Sequence, residues 1–284
     1  MSVVRRYVAP DGVTLVADEA GPEGAPTVIL LHGGGQTRHS WSGAMRALVG
    51  RGYRVINVDG RGHGDSDWSE AGRYSLDDRV DDLRVITAGI TGPFALVGAS
   101  LGGMTAIHAA ASGLAPSALV LVDIVPTPEP AGIDRIVTFM RGTSAGFDTI
   151  EDVVAAVTAY NPHRPRPRDS SGLRRNLRER EDGRLYWHWD PRIVSTRPED
   201  IHAMVERSAR MLGRRLEMGV LVVRGMSSDV VSDSSVAAFR KILPTLEVAD
   251  VAGAGHMVSG DRNDAFNASV LEFLDRRMPV AAET

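Results

Sequence analysis

The stretch Phe94-Ala95-Leu96-Val97-Gly98-Ala99-Ser100-Leu101-Gly102-Gly103 constrains this chain more than any other. Four apolar residues of strand type run into Gly98-Ala99-Ser100-Leu101-Gly102, and residues 104–111 then have the composition of a helix. A serine on a tight strand-to-helix turn is forced into a strained backbone conformation. Small neighbours at Gly98 and Gly102 let the two elements approach closely. The strain lifts the hydroxyl out of the turn, and the N–H groups that open the helix point at the same spot. Negative charge developing at Ser100 would meet ready-made donors. A turn that merely connects two elements could carry the same five letters, so the surrounding pattern has to decide.

That pattern is one of strands alternating with helices. Residues 3–8 and 13–18, joined at Pro10-Asp11-Gly12, read as an antiparallel hairpin. Residues 27–31, 118–122 and 219–225 are continuous apolar runs of the kind buried on both sheet faces. Residues 53–59 and 246–250 read as further strands. Helical patterns follow at 41–50, 76–90, 234–243 and 265–276. The fold class is therefore α/β, with a mainly parallel sheet and helices on both faces. Between 126 and 215 the buried-strand runs stop. Half of the chain's basic residues gather there, with helical spacings such as Ile133-Ile136-Val137-Met140. The segment reads as a helical cap inserted into a core domain made of 1–125 and 216–284. Within it, Pro162-His163-Arg164-Pro165-Arg166-Pro167 reads as an extended connector. Tyr186-Trp187-His188-Trp189-Asp190 reads as an aromatic cluster, from which Trp187 or Trp189 could reach a substrate.

Ligands of an open parallel sheet bind beyond the carboxyl ends of its strands. His32-Gly33-Gly34-Gly35, Ser100, Asp229 and His256 all fall just after strand patterns. Serine needs an adjacent base to become a nucleophile, and His256, on a short glycine-flanked loop, can supply one. Asp229 would accept the other ring N–H and hold the tautomer. The glycine run exposes bare amides, which makes Gly34 and Leu101 the expected oxyanion donors, with Gly33 alongside as a substrate contact. Two other aspartates compete with Asp229. Asp123 ends the strand 118–122, and Asp233 better suits the start of a helix; chain order favours Asp229. His63 lies in a polar, glycine-dense turn that suits a rigid loop better than chemistry. His108 and His188 carry no functional signal.

These residues identify a resemblance to the α/β-hydrolase superfamily across nearly the whole chain. It rests on His32-Gly33-Gly34-Gly35, Asp59-Gly60-Arg61-Gly62-His63-Gly64-Asp65-Ser66, the elbow at 98–102, Ser228-Asp229 and Gly255-His256. The resemblance implies an eight-stranded sheet with strand 2 antiparallel and a cap after the sixth strand. It also implies a serine hydrolase of a small carboxylic ester or lactone. C–C bond hydrolysis, acyl transfer and cofactor-free perhydrolysis use the same devices, and some relatives of this fold act as small-molecule receptors. Relatives with an aspartate at the elbow, the epoxide hydrolases and haloalkane dehalogenases, are disfavoured by Ser100.

Composition narrows the remaining classes. With no cysteine, disulfides, zinc–thiolate sites and a cysteine nucleophile are excluded. A net charge of -4 argues against nucleic acid and an anionic membrane as partners. No signal peptide or long apolar run appears, so the expectation is a cytoplasmic protein needing no cofactor or metal. Its partner would be a small-molecule ester or lactone, with a homo-oligomer left open.

Overall fold

The five residues of β3 (Thr27–Leu31) are all buried, as a strand covered on both faces requires. In the computed structural model, which describes residues 2–160, 171–174, 176–213, 218–256, 258 and 263–281, this strand lies inside an eight-stranded sheet. Its other members are β1 (Val3–Val8), β2 (Thr14–Ala20), β4 (Arg54–Asp59), β5 (Phe94–Ala99), β6 (Ala118–Val122), β9 (Gly219–Gly225) and β10 (Glu247–Val251). The order is β1-β2-β4-β3-β5-β6-β9-β10. The β1–β2 and β2–β4 pairs are antiparallel, and every other pair is parallel.

Period-two alternation distributes each strand between two cores. Ile29 and Leu31 face one, while Val28 and Leu30 face the other. The first is covered by α2 (Leu76–Thr87), α3 (Leu101–Ala111) and α8 (Asp233–Ile242), the second by α1 (Ser42–Gly50) and α9 (Asn263–Arg277). Trp41, just ahead of α1, meets Phe266 of α9 with ring centroids 5.8 Å apart. No helix among the described residues is long and apolar enough to cross a membrane.

Between β6 and β9 the chain forms α4 (Pro130–Gly142), α5 (Ile150–Tyr160) and α6 (Ser171–Arg174). Then come a hairpin of β7 (Leu177–Glu179) with β8 (Leu185–Trp187), and α7 (Pro198–Leu212). The hairpin lies where helices were expected; its three-residue strands are too short for alternation to register. The connector at 162–167 lies outside the described residues. The helix α7 differs from the rest of the segment. Its Val205, Ala209 and Leu212, spaced i, i+4, i+7, join the buried cluster beneath the sheet, and the helix packs against α3. It thus sits with the sheet's helical layer, although it falls inside the 126–215 segment.

Candidate active site

Ser100 sits between β5 and α3 at φ 45° and ψ −113°, a left-handed conformation that side chains rarely adopt. Glycines make the crossing feasible. A Cβ on Gly98 would lie 2.5 Å from the Gly103 nitrogen, and one on Gly102 would lie 2.7 Å from the Leu31 carbonyl carbon. The Ser100 N–H donates to the Val122 carbonyl at 3.3 Å, tying the turn to the end of β6. Leu101 is the first residue of α3, so its N–H has no acceptor within the helix. The Ser100 hydroxyl makes no hydrogen bond to any described residue.

The expected role of Asp229 is corrected here. His256 Nδ1 lies 2.8 Å from Oδ2 of Asp123, whereas the Asp229 carboxylate pairs with Arg135 of α4 at 3.0 Å in a half-exposed ion pair. The reason lies in the sheet. Asp123 follows β6 directly, at φ 49°, and its N–H donates to Val223 of β9. Its side chain is thereby held in the cleft between β6 and β9, fully buried. Oδ1 accepts the Gly225 N–H at 3.1 Å, and Oδ2 also accepts the Ser228 hydroxyl. The histidine loop can close on this point because Gly225 has no side chain; a Cβ there would lie 2.6 Å from the Ala254 carbonyl oxygen. Asp229 has already passed the cleft, and its own carbonyl packs against Gly132 of α4. Asp233 opens α8 and pairs with Arg224 at 2.6 Å.

The glycine run after β3 is held by histidines that the sequence pattern left without a function. His32 Nδ1 donates to the Gly33 carbonyl at 2.8 Å, and its Nε2 accepts from Gly60 at 2.9 Å. The Gly33 N–H donates to Gln36 Oε1 and the Gly35 N–H to His63 Nε2, each at 3.1 Å. The Gly34 N–H has no acceptor among the described residues. His63 donates through Nδ1 to the Arg61 carbonyl at 3.1 Å. His188, at the end of β8, accepts the Gly64 N–H at 2.7 Å. The turn around His63 is rigid, as expected: Asp59 binds the Arg38 side chain and accepts the Arg38 and Asp65 amides, while Ser66 bonds the Asp59 carbonyl and the Val16 amide.

Burial drives all three imidazoles toward the neutral form. For His188 the loss of solvation, reinforced by His32 and Arg178 against the pull of Asp59, pushes the pKa down to about 4. Unfolded imidazole titrates near 6.5, so below that pH the unfolded chain takes up a proton that the fold refuses. Stability is therefore expected to fall as pH drops from 6.5 to about 4, the His188 share being about 3 kcal/mol. Urea unfolding at pH 7 and pH 4.5 checks this. His188→Asn should flatten the dependence, and an unchanged slope would refute the assignment.

The two tryptophans part company. Trp187 donates to Thr143 Oγ1 at 2.9 Å and meets Phe147 edge-on, both of them cap residues. Trp189 is buried beside the glycine run, its Nε1 3.6 Å from where a Gly35 Cβ would stand. Met140 of α4 lies next to it, 3.8 Å from the corresponding point on Gly34, and Leu101 completes this apolar wall. Gly33 lies against Ser100, 3.5 Å separating its virtual Cβ from the serine Cβ. Nothing in the pattern pointed to Met140 beyond its helical spacing.

A family model described as the alpha/beta hydrolase family matches residues 28–269. The esterase Rv0045c of Mycobacterium tuberculosis is 32% identical over 264 residues, spanning 89% of this chain and 84% of that protein. The 2-(acetamidomethylene)succinate hydrolase of Mesorhizobium japonicum is 30% identical over 282 residues, 96% of this chain and 95% of that protein. Among solved structures, E-2-(acetamidomethylene)succinate hydrolase superposes with a TM-score of 0.82 at 26% identity, covering 97% of this chain and all of the other (100%). A crystal structure of the mycobacterial esterase gives 0.74 at 30% identity, with 97% and 92% covered.

Proposed function

The chain belongs to the alpha/beta hydrolase family, and from that premise we propose that it hydrolyses a small carboxylic ester or lactone through an acyl-Ser100 intermediate. The observation that carries the reading is the His256–Asp123 hydrogen bond, formed at the carboxyl end of the sheet where the strained turn presents Ser100. Asp123 accepts the Nδ1 proton of His256, which leaves Nε2 as the base. The imidazole takes the Ser100 proton as the hydroxyl oxygen attacks the ester carbonyl. The Gly34 and Leu101 N–H groups receive the oxyanion, and Asp123 stabilises the imidazolium. Collapse of the adduct expels the alcohol with the proton that His256 returns. Water, deprotonated by the same imidazole, then attacks the acyl carbonyl and releases the acid from Ser100.

Met140, Leu101 and Trp189 form an apolar wall beside the glycine run, which favours an uncharged acyl group at that point. A relative of this chain is named an esterase, which supports the same bond type. Labelling with a fluorophosphonate, followed by peptide mapping, is expected to place the phosphonyl group on Ser100 alone. Modification at another residue, or none at millimolar reagent with the protein folded, would overturn the nucleophile. Rates on aryl esters, lactones and a vinylogous diketone then separate ester cleavage from C–C bond hydrolysis.

A further inference from the structure

We propose that His63 and His188 are positioning residues for the oxyanion hole, the first by accepting the Gly35 N–H and the second by tying the cap to the loop that carries His63. The inference rests on the acyl-serine reading and deepens it. Three consecutive glycines leave the backbone at 33–35 free to rotate, so a donor at Gly34 is useful only if the neighbouring peptide planes are pinned. The Gly34 N–H shares one plane with the Gly33 carbonyl. That carbonyl is held by His32 Nδ1 at 2.8 Å and by the Gln36 N–H at 3.1 Å, so the Gly34 N–H must project the opposite way. The next plane carries the Gly35 N–H, and His63 Nε2 holds it at 3.1 Å.

Proton bookkeeping assigns each ring its role. His63 donates Nδ1–H to the Arg61 carbonyl, so its Nε2 has a lone pair for Gly35. His188 spends its Nδ1 lone pair on the Gly64 N–H, so its proton sits on Nε2. That buried Nε2–H has no hydrogen-bond acceptor among the described residues. The rings stand in a row, His32 to His63 at 4.8 Å and His63 to His188 at 6.1 Å. His188 belongs to the cap hairpin, and Trp68 of the core loop donates to its carbonyl at 3.3 Å. Seating of the cap and alignment of the donor are thus one mechanical unit.

A donor that acts on the oxyanion lowers the barrier without tightening ground-state binding, and losing one outright costs about 10²–10³ in kcat. Misaiming it costs less. On a p-nitrophenyl ester, His63→Leu is expected to lower kcat about 30-fold with KM within about twofold. His63→Gln, whose Oε1 can stand where Nε2 stood, should recover to within about threefold of wild type. His188→Leu and His188→Asn should repeat the contrast at about tenfold, Asn restoring the acceptor for Gly64. A merely structural role would lower the melting temperature and the yield of active enzyme, shown by active-site titration, and leave kcat per titrated site alone. Folded His63→Leu with wild-type kcat per site, or Leu and Gln variants equally impaired, overturns the inference. Should His63→Leu fail to fold, the His188 pair decides by the same readout. Ser100→Ala run alongside separates the two levels: full turnover there removes the acyl-serine reading itself, whereas an inactive Ser100→Ala beside an unimpaired His63→Leu removes only the positioning role.

Discussion

Ser100→Ala is expected to lower kcat on a p-nitrophenyl ester by about 10⁶, with the protein as stable as the parent. The size of the loss follows from what the hydroxyl does. Without it no acyl-enzyme forms, His256 has no proton to take, and the donors at Gly34 and Leu101 are left to assist only a direct attack by water. That residue of assistance is worth about 10³–10⁴ over the uncatalysed reaction. Alanine removes only an oxygen that bonds no described residue, so folding has little reason to suffer. Burst kinetics on the parent and steady-state rates on the variant are the measurements. Retention of more than about a hundredth of the parent kcat would rule out Ser100 as nucleophile.

Asp123→Asn is expected to cost about 10⁴ in kcat, and Asp229→Asn no more than a few-fold. The two substitutions make the same chemical change, one just past the end of β6 and the other further along the loop after β9. Asp123 is buried and accepts hydrogen bonds from Gly225, Ser228 and His256. An amide there can turn only its oxygen or its NH₂ toward the imidazole. If the NH₂ faces Nδ1, the ring is driven to the tautomer whose proton sits on Nε2, facing the serine it should deprotonate. Asp229 instead shares an exposed pair with Arg135, of the kind worth at most about 1 kcal/mol. Circular dichroism of each variant guards against misfolding. If the costs came out reversed, the carboxylate that supports His256 in turnover would be Asp229, and the assignment of Asp123 would be withdrawn.

The choice between these two aspartates marks where sequence reasoning ran out. Both follow apolar strands, and chain order favoured the later one. What separates them is that β6 and β9 are neighbours, so a residue just past the end of β6 points into the space beside the Gly225 loop. Adjacency of strands 97 residues apart in the chain (219 − 122) leaves no local trace. Residues 177–187 tell the same story. Their short hairpin is held by partners such as Phe147, which pairs backbone to backbone with Leu185 across the cap.

The row of histidines is a third instance. His32, His63 and His188 come from three separate stretches, and only the fold brings Gly60, Gly35 and Gly64 within reach of their ring nitrogens and so sets their tautomers.

By itself, the sequence determined the alternation of strands and helices, the strained turn at Ser100 and the bare amides after β3, because burial periodicity and glycine backbone freedom act over a few neighbouring residues. Only the tertiary structure decided which carboxylate meets His256, which ring holds Gly35 and which cap residues face the site. Those are matters of side-chain direction between distant segments, and they are settled by how the sheet is ordered and how the cap packs upon it.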